Sequence, residues 1–125
     1  MAKRTGASRP AAKSGSAAPD VGDVVWLTFT PQAGREQSGR RPALVLSPRA
    51  YNGKVGLCLA CPITNLVKGY PFEVALPSAF PVTGVVLADH IENVDWKARH
   101  ADRVATVPDE VLTETRAKLK ALLGF

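Results

Sequence analysis

The sequence predicts a mainly β (α+β) fold, a small antiparallel barrel or curled sheet closed by one amphipathic helix. Three observations carry this. Short runs of β-branched and apolar residues alternate with Gly, Pro and Asn turn signals, enough for about five to seven strands. Only the last segment has helical spacing. The chain has 125 residues, 46% of them hydrophobic, which suits one soluble domain with one core and no repeats.

Residues 1–19 are rich in Ala, Gly, Ser, Pro and Lys and are expected to be a disordered basic tail, with the folded domain over 20–125. Asp23–Phe29 (DVVWLTF) is β-branched and aromatic, a strand composition. Thr30–Arg40 (TPQAGREQSGR) holds Pro31, Gly34 and Gly39 and reads as an exposed loop. Pro42–Ser47 (PALVLS) is a short buried strand. Pro48–Lys54 contains Asn52-Gly53, a turn signal. Val55–Ile63 is the next strand, Asn65–Tyr70 a turn, and Phe72–Leu76 (FEVAL) a half-buried strand. Gly84–Ala88 (GVVLA) follows, then weaker candidates at Ile91–Trp96 and Arg103–Val107. The closing helix has Pro108 at its first position and Asp109 and Glu110 in the first turn, where the helix dipole favours anions. Val111, Leu112, Thr115, Leu119, Leu122 and Leu123 form one face, and Gly124 caps the end.

The formal net charge of +5 suggests a polyanionic partner, but position matters. Four of the 16 bases and none of the 11 acids precede Asp20, so the domain carries 12 bases against 11 acids. No apolar run approaches the ~20 residues of a membrane span. The basic N-terminus lacks the continuous apolar stretch of a secretory signal. Two cysteines make no disulfide framework, which points to a reducing cytoplasm. P-loop, Rossmann, nucleophile-elbow and HExxH patterns are absent, and the scattered acids form no metal cage.

Four features bear on chemistry. Cys58-Leu-Ala-Cys61 has the spacing of a redox pair or half a zinc site, against the plainer reading of two buried thiols. A separation of three puts the two thiols on opposite faces of a strand. His90 and His100 are the only histidines; Asp89-His90 would face opposite ways as strand neighbours. Arg35, Arg40 and Arg41 surround the single carboxylate Glu36, with Arg49 close by. Arginine forks suit phosphate oxygens, though a charged loop is also an ordinary solvated hairpin end. Thr64 ends an apolar strand, where its hydroxyl serves either a phosphoryl oxygen or a turn.

Several blocks in fixed order carry a family resemblance: Pro19-Asp-Val-Gly-Asp-Val-Val-Trp26; Glu36-Gln-Ser-Gly-Arg-Arg-Pro42 running into Ala-Leu-Val-Leu-Ser-Pro48; Tyr51-Asn-Gly-Lys; Cys61-Pro-Ile-Thr64; Lys68-Gly-Tyr-Pro-Phe-Glu-Val74; and Leu87-Ala-Asp89. Together they resemble the MazF/PemK toxins of type II toxin–antitoxin systems over about residues 19–124, most closely the MazF endoribonuclease branch. The resemblance implies an SH3-like barrel of the CcdB/PemK type, assembled as a homodimer. It implies metal-independent, sequence-specific cleavage of single-stranded RNA, mostly mRNA, with no cofactor. It also implies inhibition by a MazE-like antitoxin that lays an acidic C-terminal segment over the RNA groove. The family's catalytic arginine falls on Arg41, its threonine on Thr64 and its loop glutamate on Glu36. Asp89 is a secondary base candidate. Gln37, Asn65 and Lys68 are candidates for reading bases, and Arg35, Arg40 and Arg49 for attracting phosphate. Arg35, Arg40 and His90 depart from the family pattern, which has small or less basic residues at the first two positions and glutamine at the third.

Two other classes compete. A CcdB-like toxin shares this general fold but binds a protein target such as gyrase. An SH3-like module binds proline-rich peptides through an aromatic groove, for which 6% aromatic residues is thin provision.

Overall fold

The computed structural model describes residues 17–28 and 39–125. Residues 1–16 of the basic tail, and the loop residues Arg35, Glu36 and Gln37, lie outside them. Seven strands and two helices follow in order: β1 (Asp23–Thr28), β2 (Arg40–Val45), α1 (Arg49–Val55), β3 (Cys58–Thr64), β4 (Glu73–Ala75), β5 (Val85–Leu87), β6 (Glu92–Val94), β7 (Asp102–Thr106) and α2 (Asp109–Leu123). The strands form one antiparallel sheet in the order β4-β5-β3-β2-β1-β7, with β6 also on β3.

Alternation along the central strands sends side chains into two core layers. Val25, Leu27, Ala43, Val45, Cys58, Ala60, Val94 and Trp96 fill one. Val24, Leu44, Cys61, Ile63, Val74, Val86 and Val107 fill the other, with Val111 of α2. Because both faces are covered, β1 and β2 read as continuous apolar runs rather than alternating ones. On α2, Val111, Thr115 and Leu119 are buried, and Gly124 closes the helix in the left-handed region. Leu122 and Leu123, one turn beyond Leu119, are 46% and 60% exposed, so the predicted apolar face ends a turn early. Pro108 sits at the N-cap, extended, rather than at the first helical position.

The Asn52-Gly53 turn is corrected: both residues lie inside α1, and the left-handed residue is Gly56 at its end. Tertiary hydrogen bonding overrides the local preference. Asn52 is fully buried, and its Nδ2 donates to the carbonyls of Pro19 and Ser47, both at 2.8 Å. Its Oδ1 accepts from Ser47 Oγ at 2.6 Å, and its carbonyl accepts from Trp96 Nε1 at 2.9 Å. Since α1 runs to Val55, β3 starts only at Cys58. The same cluster holds the chain before β1: Ala18 is buried, and its carbonyl accepts from Arg49 Nε at 2.8 Å. Ala18 and Pro19 are thus packed on the domain.

Replacing Asn52 by Leu leaves the Pro19 and Ser47 carbonyls unpaired inside the protein. Urea denaturation should show a loss of roughly 2–4 kcal/mol.

Candidate RNA-cleavage site

β2 and β3 pair antiparallel with Ala43 opposite Pro62 and Val45 opposite Ala60. The paired rungs end at Ala43 and Pro62; Arg41, two residues before Ala43, and Thr64, two residues after Pro62, lie at the same end of these neighbouring strands and, by strand alternation, on one face. Arg41 is exposed, and its side chain makes no hydrogen bond or ion pair with another described residue. A guanidinium that no described residue engages, at a sheet end, is equipped to take a phosphate in a fork.

Thr64 is half-buried at the end of β3. Its Oγ1 accepts from the Leu66 N–H at 3.0 Å, which leaves the hydroxyl proton free to donate. Gly84 backs it from the facing strand. Gly84 has φ +116°, and a Cβ there would collide with the Thr64 carbonyl, so only glycine permits this approach. The sequence reading passed over Gly84; its signal was a glycine immediately before the β5 apolar run.

The loop after Thr64 is organised by its own polar groups. Asn65 Oδ1 accepts from Thr83 Oγ1 at 2.8 Å, which turns its amide NH₂ outward as a donor. Glu73 accepts from the N–H groups of Lys68 and Gly69, at 2.9 and 3.0 Å. Lys68 itself is exposed, as are Leu66, Val67 and Tyr70 around it.

The remaining candidates stand elsewhere. Arg49 begins α1, beyond the far end of β2 from Arg41, and its Nε is bound to the Ala18 carbonyl. Arg40 lies on the opposite face of β2 from Arg41 and is ion-paired to Asp102 at 2.9 Å. Asp89 belongs to a single 3-10 turn, Ala88–His90, rather than a strand. That turn corrects the expectation that Asp89 and His90 point apart: His90 Nε2 approaches Asp89 Oδ1 to 3.8 Å. Asp89 Oδ1 is buried without a hydrogen bond, and the turn runs beside Cys61, whose thiol faces the Ala88 carbonyl at 3.7 Å.

Cys58 and Cys61 are free, buried and in different core layers. Burial pushes the Cys58 thiol up to about 11. Burial, then the nearby Asp89 charge, pushes Cys61 up to about 12. Neither thiol is suited to redox exchange, which needs thiolate. Among the described residues no group of three His, Cys, Asp or Glu side chains is placed to hold a metal ion, and no helix is long and apolar enough to cross a membrane.

A curled antiparallel sheet with an exposed arginine and a threonine hydroxyl at one end places the chain among small, mainly β proteins with a polar sheet end. Comparison with known proteins narrows it. Residues 20–123 match the family described as PemK-like, MazF-like toxin of type II toxin-antitoxin system, and the chain belongs to that family. It is 49% identical over 106 residues to the endoribonuclease toxin MazF of Escherichia coli K12, covering 85% of this chain and 95% of that one. Among solved structures, MazF of Deinococcus radiodurans is 61% identical with a TM-score of 0.78, covering 86% of this chain and 98% of that one. A MazE–MazF structure from the same organism is 55% identical, also with a TM-score of 0.78, over 86% and 97% of the two chains.

Two predictions follow from the local packing. Gly84→Ala forces the Thr64 backbone aside, and thermal unfolding should report a loss of about 2–4 kcal/mol. The thiols should resist alkylation at pH 8 in the folded protein and react once urea unfolds it. In the unfolded chain they ionise near the ordinary value of 9.0, while the folded values lie at about 11 and 12. Their contribution to stability is therefore full below pH 9 and is lost as pH rises through 11 to 12.

Proposed function

We propose that this chain is the toxin of a type II toxin–antitoxin pair, a sequence-specific endoribonuclease that cleaves single-stranded RNA, chiefly mRNA, without a metal ion. Translation and growth stop until its antitoxin binds. What supports this reading is the β2–β3 pairing, which brings the strand ends bearing Arg41 and Thr64 to the same end of the sheet, in a chain that matches named endoribonuclease toxins over most of its length. The same juxtaposition favours RNA cleavage over the gyrase-binding reading, which has no use for it.

Without a metal, the nucleophile at hand is the RNA's own 2′-OH. Its oxygen bonds to the adjacent phosphorus while the P–O5′ bond breaks. The products are a 2′,3′-cyclic phosphate and a 5′-OH. Charge gathers on the phosphoryl oxygens in the transition state, and preorganised donors aimed at them lower the barrier. Arg41 clamps these oxygens and Thr64 Oγ1 adds a second donor. Arginine stays protonated at any working pH, so Arg41 serves as a fixed charge better than as a proton carrier. Glu36 is the base assigned to the 2′-OH, or else the group that orients Arg41; Asp89, beside Cys61, ranks behind it. The leaving O5′ takes its proton from the acid that results or from water. Asn65 and Lys68, in the loop beyond Thr64, read bases held single-stranded, and Gln37 is assigned the same role.

The working protein is read as a cytoplasmic homodimer. A MazE-like partner inhibits it with an acidic C-terminal segment lying over the RNA groove, where carboxylates compete for the cations that hold phosphate. The related MazE–MazF structure supports an antitoxin partner.

Incubation with a long RNA in EDTA, with 5′ ends mapped by primer extension, tests the reading. Cleavage at a short recurrent sequence is expected, with a rate about 10²–10³ lower for Arg41→Ala and for Thr64→Ala, each still folded. A fully active Arg41→Ala protein, or cleavage abolished by EDTA, sinks the assignment.

A further inference from the structure

We infer that Arg40 is a positioning residue that holds Arg41 in place through β2 and makes no contact with RNA; the inference rests on the reading of Arg41 and Thr64 as the cleavage site. Among the described residues, the strand segment bearing Arg41 is paired on one side only. β2 pairs with β1 as far as Arg40, opposite Thr28, but its ladder with β3 stops at Ala43. Pro42, between them, has no N–H to give to either neighbour.

The Arg40 side chain supplies the missing support from the other face. Its Nη1 donates to Thr28 Oγ1 at 2.8 Å and to the His100 carbonyl at 3.2 Å. Its Nη2 donates to Asp102 Oδ2 at 2.9 Å. One guanidinium thus ties the start of β2 to β1, to β7 and to the turn that precedes β7. Three of its five N–H donors are committed and its charge is matched by a carboxylate, so the group is engaged in structure rather than held open for phosphate.

The turn is built to receive this group. Asp95 Oδ1 accepts from the Ala98 N–H at 2.9 Å and opens the turn. His100 N–H donates to the Lys97 carbonyl and Ala101 N–H to the Trp96 carbonyl, a helix-terminating pattern that needs a left-handed residue between. His100 fills that place at φ +53°, the one described non-glycine residue with positive φ. Such a conformation persists where its surroundings over-determine it. Here it aims the His100 carbonyl at Arg40. The same turn grips the end of β1: Thr28 N–H donates to the Arg99 carbonyl, and Arg99 Nη1 to the Thr28 carbonyl, both at 2.9 Å.

The full chain with Arg40→Ala, Asp102→Ala, both together, and Asp102→Glu is compared on a short RNA containing one cleavage site, with Arg41→Ala as control. Arg40→Ala and Asp102→Ala should each lower kcat roughly 10- to 100-fold with KM unchanged, as a displaced catalytic group does. The double variant should be no worse than the poorer single one, because the two act as a unit. Asp102→Glu should restore kcat, and the salt dependence of RNA binding should stay as in the parent. Two results overturn the inference: Asp102→Ala cleaving at the parent rate, or Arg40→Ala raising KM and lowering the salt slope by about one, the mark of a lost phosphate contact. If Arg40→Ala fails to fold, the kcat and KM of Asp102→Ala and Asp102→Glu decide alone. Arg41→Ala at the parent rate would overturn the cleavage-site reading itself, whatever Arg40 does.

Discussion

A slip of β2 by one residue would turn Leu44 out of one core layer and Ala43 and Val45 out of the other. β2 lies between β1 and β3, and its inward residues on both faces are fully or almost fully buried. Side chains alternate along a strand, so no slipped register keeps either layer filled. The register in turn brings the start of β2, with Arg41, and the end of β3, with Thr64, to the same end of the sheet. The placement of these two polar residues is therefore a consequence of apolar packing several residues away.

Polar groups enter where the ladders end. Asp23, buried at the start of β1, accepts from the Asp20 N–H through Oδ2 and from Arg103 Nε and Thr106 Oγ1 through Oδ1. Asn52 performs the same service between α1, the chain before β1, and Trp96. At the other end, Arg40, Asp102 and the His100 carbonyl form a third such knot. Each satisfies groups that would otherwise be buried or loose, and each joins elements distant in sequence. The site end differs from the α1 end in one respect: there, Arg41 is left without a partner among the described residues.

The charge distribution sharpens the same contrast. Most of the +5 excess belongs to residues before Asp20. Within the domain, two of the arginines that crowd the sequence around Glu36 are engaged in structure: Arg40 with Asp102, and Arg49 with the Ala18 carbonyl. The three described members of this cluster are thus divided by strand alternation and by distance along β2 into one cation that no described residue engages, Arg41, and two structural ones. Affinity for a polyanion depends on the open one far more than on the total.

Much of the architecture was legible from residue order. Apolar runs located β1, β2, β3 and β5, and the spacing of Val111, Thr115 and Leu119 located α2, because these patterns reflect burial that any compact solution must satisfy. The motif blocks pointed to Arg41 and Thr64 as a pair. Local signals misled where distant partners intervened: Asn52-Gly53 has a turn's composition, yet Pro19, Ser47 and Trp96 recruit it into a helix. Asp89 and His90 looked like strand neighbours until the 3-10 turn brought them together. The motif blocks single out Arg41, but nothing local says what its neighbour Arg40 does. That is decided only when β2 pairs with β1 and the Asp95–Asp102 segment folds against it, because a hydrogen bond from Arg40 to a carboxylate 62 residues away exists only in three dimensions.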